Sequence, residues 1–138
     1  MMNDKFFTIF LDQKLTTKEQ IHRFIAEFAN SDAVEEIIGL LQRRETVGNT
    51  MIAEHVILPH LESTKVKQSQ VLVIRLVEPI DLDDETPEIQ LIVTILLKSE
   101  EEQATKQKIA QFTRRLADDD FLAELLTNPS EKNIYQLL

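Results

Sequence analysis

The 138-residue chain contains no cysteine and no tryptophan, one tyrosine, four prolines and two glycines. The lack of cysteine excludes disulfides, thiolate metal sites and thiol nucleophiles, and it fits a reducing compartment. Gly39 and Gly48 alone cannot build a glycine-rich phosphate loop, which argues against direct nucleotide use. No apolar run approaches the about eighteen residues of a membrane-spanning helix, and the amino terminus lacks the basic-then-apolar order of a signal peptide. Cations are scarce as well. Fifteen Lys and Arg against 24 Asp and Glu leave a formal charge of −9, and affinity for nucleic-acid backbones comes largely from Lys and Arg. These absences predict a cytoplasmic protein without stable membrane insertion and without nucleic acid as a partner. An acidic surface suits partners with basic docking faces, and equally serves solubility alone.

What is present is a hydrophobic content of 43%, which suits one domain over residues 1–138 with a sizeable core. Residues 6–11, rich in Phe and Ile, read as a first strand. Thr17 with Gln20 has the form of a capping box, and Ile21, Phe24, Ile25 and Phe28 recur at helical spacing behind it. Asp32 with Glu35 repeats the capping pattern before a second helical stripe, Val34, Ile37, Ile38 and Leu41, expected to end near Arg43 or Arg44. After a polar connection over residues 62–69, residues 71–76 read as a strand. Residues 79–88 read as an acidic, solvated loop. Residues 89–97 are nearly continuous Ile, Leu and Val and predict a central strand covered on both faces. Ser99 with Glu102 opens a third helix through Ile109, Phe112 and Leu116. Short helices follow over residues 121–126 and from Ser130. Strands and helices do not alternate strictly, so the expected fold class is α/β (α+β), a single mixed β-sheet flanked by helices on both faces.

The most informative stretch is Arg44 to Leu61. In it the apolar run Val56-Ile57-Leu58 closes in Pro59 and is followed at once by His60. Proline lacks the N–H that a sheet ladder needs, so the histidine is placed at a strand end, with its backbone held and its imidazole able to meet solvent or a partner. A neutral imidazole keeps a nitrogen lone pair that can attack phosphorus. Arg44, at the end of the second helix, either complements the helix dipole or points its fork of donors toward the following segment. His22 reads as a surface or boundary residue of the first helix. His55 and His60 are five residues apart, not the four of a helical zinc pair, and the acidic loop lacks the glycine and terminal glutamate of an EF-hand. No metal and no cofactor are expected, and no nucleophile elbow supports Ser-His-Asp hydrolysis.

Those residues resemble the fructose- and mannitol-type enzyme IIA proteins of the bacterial sugar phosphotransferase system. Glu45 matches the family's acidic residue, Ile52-Ala53 its apolar-plus-small pair, and Val56 to His60 its closing Pro-His segment. Arg44 stands sixteen residues before the histidine and Thr50 six after the arginine, both as in the family. The order of apolar segments from Phe6 to Leu138 follows the family too. Three positions depart from it: Ile57 replaces a usual alanine, Leu61 a usual small residue, and Thr105 falls, without gaps, where most members carry a second histidine beside the reacting one.

The resemblance implies a phosphoryl carrier. Phosphate would arrive from the phosphohistidine of HPr, rest on His60, usually through Nε2, and leave to an enzyme IIB component. Arg44 would stabilise charge and Thr105 would donate one hydrogen bond to a phosphoryl oxygen. The departures imply slower transfer than in members with two histidines. They also leave open a regulatory module that keeps the fold and signals by binding another protein. The apolar residues flanking His60 are read either as a docking face or as core.

Overall fold

The computed structural model describes residues 6–138, and the readings of residues 1–5 as part of the domain and of the amino terminus as no signal peptide lie outside them. In chain order the elements are β1 (Phe7–Gln13), α1 (Lys18–Ala29), α2 (Val34–Val47), β2 (Met51–Ala53), β3 (Val56–Ile57), β4 (His60–Ser63), β5 (Gln70–Ile80), β6 (Ile89–Lys98), α3 (Gln103–Arg115), α4 (Asp119–Thr127) and α5 (Glu131–Leu137). The strands form one mixed sheet in the order β1-β5-β6-β3-β2, with β4 also paired to β6.

β6 is the central strand its composition predicts. It runs antiparallel to β5 and parallel to both β3 and β4. Its side chains alternate between two layers. Leu91, Val93, Ile95 and Leu97 pack with Ile109, Phe112, Leu122, Leu125 and Ile134 of α3 to α5. Ile92 and Leu96 pack with Ile21, Ile25, Ile37 and Leu41 of α1 and α2. Helices therefore cover both faces, because a strand apolar on both sides is stable only when both are kept from water.

Thr94 interrupts that pattern. Its hydroxyl is fully buried in the same strand and has no hydrogen-bond partner among the described residues. Thr94→Val keeps the shape and removes an unsatisfied polar group, so urea unfolding should show a gain of about 1 kcal/mol.

Arg75 on β5 is the opposite case, a buried charge with hydrogen-bond partners. Its Nη1 donates to the carbonyl of Leu125 at 2.9 Å and its Nη2 to that of Asn128 at 2.8 Å, satisfying carbonyls at the end of α4. Burial pushes the guanidinium's pKa down and the charge of Asp12 opposes that. Arg75→Ala should cost about 3 kcal/mol, because orphaned carbonyls remain beneath the helix; thermal unfolding should begin about 10 °C lower. On the other side of β1, the Ile9 N–H donates to the Tyr135 hydroxyl at 3.0 Å, so the single tyrosine covers part of a sheet edge.

Several sequence expectations are corrected. The Thr17 cap is present, with Gln20 N–H donating to Thr17 Oγ1, but the Gln20 side chain returns to Thr16 rather than Thr17. Asp32 caps nothing: Asn30 accepts from the Asp32 N–H and occupies the turn, and α2 starts after Ala33 without a side-chain cap. α2 also runs on to Val47, a turn beyond Arg43. Ser99 lies outside α3, whose N-cap is Glu102. The segment read as a polar connection begins with strand β4, because its apolar Leu61 alternates with polar residues that face outward.

Candidate functional site

Pro59 interrupts the strand before His60 without ending it. β3 pairs Val56 with Leu91 and Ile57 with Ile92, and β4 resumes the same parallel register at His60 opposite Ile95. The missing proline N–H removes one donor, while its carbonyl still accepts from Ile95 N–H at 3.0 Å. His60 is thus the first residue of β4, with its backbone fixed against the central strand.

Alternation along β4 sends Leu61 into the core against α1 and α2 and leaves His60 and Glu62 on the α3 side. There His60 opens onto a groove of about 350 Å³, lined by Leu58, Ile95, Leu97, Lys106, Ile109, Ala110 and Thr113. Although the residue reaches solvent, the apolar walls desolvate its ring. That desolvation is the main influence pushing the imidazole pKa down; Glu62 pulls it up and Arg44 pushes it further down. The imidazole is therefore held toward its neutral form, in which a ring nitrogen keeps its lone pair.

Arg44 stands in the last turn of α2, and its Nη1 lies 3.5 Å from the Gly48 carbonyl. Among the described residues no carboxylate forms an ion pair with it. The chain then folds back: β2 pairs antiparallel with β3, and Leu58 N–H donates to the Thr50 carbonyl at 2.8 Å. This hairpin returns the chain from α2 toward His60. His55 at its tip has a φ of 71° and an Nδ1 2.7 Å from the Glu88 carbonyl, a turn role with no part in the groove.

Glu45, next to Arg44, is committed elsewhere. Its Oε2 is 2.7 Å from His22 Nε2, and Oε1 is 3.4 Å from Lys18 Nζ. Burial works to raise the Glu45 carboxyl pKa, but the hydrogen bond and charge of His22, with Lys18, outweigh it and hold the carboxyl below its ordinary value. His22, expected as a surface or boundary residue, is only 5% exposed, and this carboxylate gives its ring a hydrogen-bond partner. A larger polar hollow of about 470 Å³ lies beside this network, among Lys18, Glu45, Asn49, Asp83, Asp84 and Glu85. Its carboxylates outnumber its one lysine, so its lining is negative.

A family model described as "Phosphoenolpyruvate-dependent sugar phosphotransferase system, EIIA 2" matches residues 6–138. The chain belongs to this enzyme IIA family. A multiphosphoryl transfer protein of Escherichia coli O6:H1 is 27% identical over 134 residues, covering 94% of this chain. The chain spans only 16% of that protein's length. In fold, the chain is similar to nitrogen regulatory protein IIA-Ntr from Neisseria meningitidis, with a TM-score of 0.77 at 18% identity over 94% of both chains. It is also similar to the complex of enzyme IIAMTL and phosphorylated enzyme IIBMTL from Escherichia coli, with a TM-score of 0.67 at 22% identity over 95% of this chain and 96% of that one.

Within this enzyme IIA domain, the three departures have different fates. Ile57 and Leu61 are both buried against α1 and α2, so the Leu61 side chain points away from the groove where a phosphate would sit. Thr105 is not among the residues lining that groove. It lines a separate hollow with Ser69, Lys98 and Glu101, because one step along α3 turns a side chain by about 100°. The residue of the first turn of α3 that lines the groove is Lys106. Sequence reasoning passed over it, although the spacing of Lys106, Ile109, Ala110 and Thr113 marks one helix face.

Proposed function

We propose that the chain is a phosphoryl carrier of a sugar phosphotransferase system, in which His60 accepts phosphate from the phosphohistidine of HPr and passes it to an enzyme IIB component in the cytoplasm. A His60 ring nitrogen forms a new N–P bond as the donor's N–P bond breaks, and the electron pair of the broken bond stays on the donor imidazole. The return of the same chemistry to an IIB side chain completes the cycle. Catalysis of such an in-line transfer is mainly positioning and charge stabilisation. The observation that carries this reading is His60 itself, fixed by the pairing of β4 to β6 and opening on the groove, with an Arg44 guanidinium that has no carboxylate partner among the described residues at the end of α2. The apolar groove around His60 supports it further, as a wall that excludes water while two reacting groups meet.

A regulatory module with the same fold is the second reading, favoured by a groove that holds one histidine instead of two. Intact-protein mass at neutral or mildly basic pH, after incubation with enzyme I, HPr and phosphoenolpyruvate, separates the readings. A carrier gains a single phosphate, mapped to His60 by fragmentation. An unmodified chain, beside a known enzyme IIA that labels in the same tube, would discard the carrier and direct the search to protein partners.

A further inference from the structure

We propose that Lys106 is a second phosphoryl-binding cation of the His60 site, a role that rests on the carrier reading and deepens it. Lys106 is the one cationic side chain among the described residues lining the His60 groove. It belongs to α3, which packs on one face of the sheet, whereas Arg44 belongs to α2 on the other. The two cations therefore approach the edge at His60 from opposite layers.

Three features of Lys106 fit this role. It is exposed, and no carboxylate forms an ion pair with its ammonium among the described residues. It stands in the first turn of α3, which holds no acidic residue, and a cation there opposes the helix dipole. A local preference set aside next to a reacting group is the pattern expected of a functional residue. Finally, it lines the same groove as Ile109 and Ala110, and a lysine stem can cover apolar surface while its ammonium stays in water. The hydrogen bonds from the Ser69 hydroxyl and the Glu102 N–H chiefly hold the nearby Glu101 carboxyl below its ordinary value, with smaller help from the charges of Lys98 and Lys106. A phosphoryl group on His60 brings a larger negative charge into the groove. Glu62, on the same face of β4, would repel that charge. The ammonium's three donors on a flexible stem can follow the phosphoryl oxygens and offset the repulsion.

The test measures loading rates by mass and by quench with two donors: phospho-HPr, and phosphoramidate, which has no docking surface. Lys106→Ala should load about tenfold more slowly with both, with unchanged thermal unfolding, and Lys106→Arg should return to within about threefold of wild type. Equal rates for wild type and Lys106→Ala would overturn the proposal while leaving the carrier intact. So would a defect seen only with phospho-HPr, which would make Lys106 a docking residue, or an arginine variant as slow as the alanine. A wild type that takes no phosphate from either donor would overturn the carrier reading and this one with it.

Discussion

His60→Ala should accept no phosphate from phospho-HPr while unfolding at the same urea concentration as wild type, to within about 0.5 kcal/mol. The first half follows from nucleophile supply. His22 is buried on Glu45, and His55 is bonded to the Glu88 carbonyl outside the groove, so neither replaces the lost imidazole. The second half follows from position: the His60 side chain opens to the groove, while the strand is held by its backbone pairing to β6 and by Leu61 beneath. The wild-type rate should also have an acid limb below the ordinary imidazole value of about 6.5. Desolvation and Arg44 both lower the ring's pKa against the pull of Glu62, so the lone pair remains free to a lower pH than in an unperturbed histidine. Initial loading rates between pH 5 and 8, read beside an NMR titration of the ring, check this. A limb above the ordinary value, or phosphate on the alanine variant, would remove His60 from its role.

Replacing Arg44 by methionine should slow loading about hundredfold, the scale of losing one preorganised charge at a developing anion. The same change should raise the His60 pKa, because the guanidinium disfavours the protonated ring. These two effects oppose each other in a simple reactivity argument. A more basic imidazole is a better nucleophile once deprotonated, yet the variant is expected to be slower, since the gain in basicity is small beside the charge lost from the transition state. The fold should be little affected. Arg44 is bonded within its own helix end to Gly48, and a cation at that end contributes about 0.5 kcal/mol. Arg44→Lys should recover part of the rate, as it restores charge without the planar fork. Loading of the methionine variant within about threefold of wild type, or a His60 pKa that falls, would mean that Arg44 serves the helix terminus and not the phosphate.

Much of the fold was legible in local pattern. The unbroken Ile, Leu and Val of residues 89–97 mark a strand buried on both faces, and the structure places it at the centre with helices on either side. Thr17 and Ser130 act as caps, since a short hydroxyl side chain at that spacing reaches a free helical N–H with no help from the rest of the chain. Asp32 and Ser99 carry the same local pattern and cap nothing. At the first, Asn30 takes the turn, and at the second the helix starts later, at Gln103. Proline at position 59 was read as a strand terminator, yet the carbonyl still accepts from Ile95 and the register continues across it. Loss of one donor is a local fact. Whether a ladder survives it depends on the neighbouring strand.

The site divides along the same line. The spacing of Arg44, Pro59 and His60, read together with the resemblance to the enzyme IIA family, put forward a candidate nucleophile and a candidate cation. The His22–Glu45 pair joins α1 to α2, and the choice between Thr105 and Lys106 turns on how α3 lies over the sheet. Sequence alone determined the apolar strands that hold His60 and the family to which the chain belongs. Tertiary structure decided which side of α3 faces His60, where Leu61 is buried, and which histidine is sealed by a carboxylate. Those outcomes depend on contacts between residues far apart in the chain, and an error of one residue in helical phase, about 100°, is enough to exchange one side chain for its neighbour.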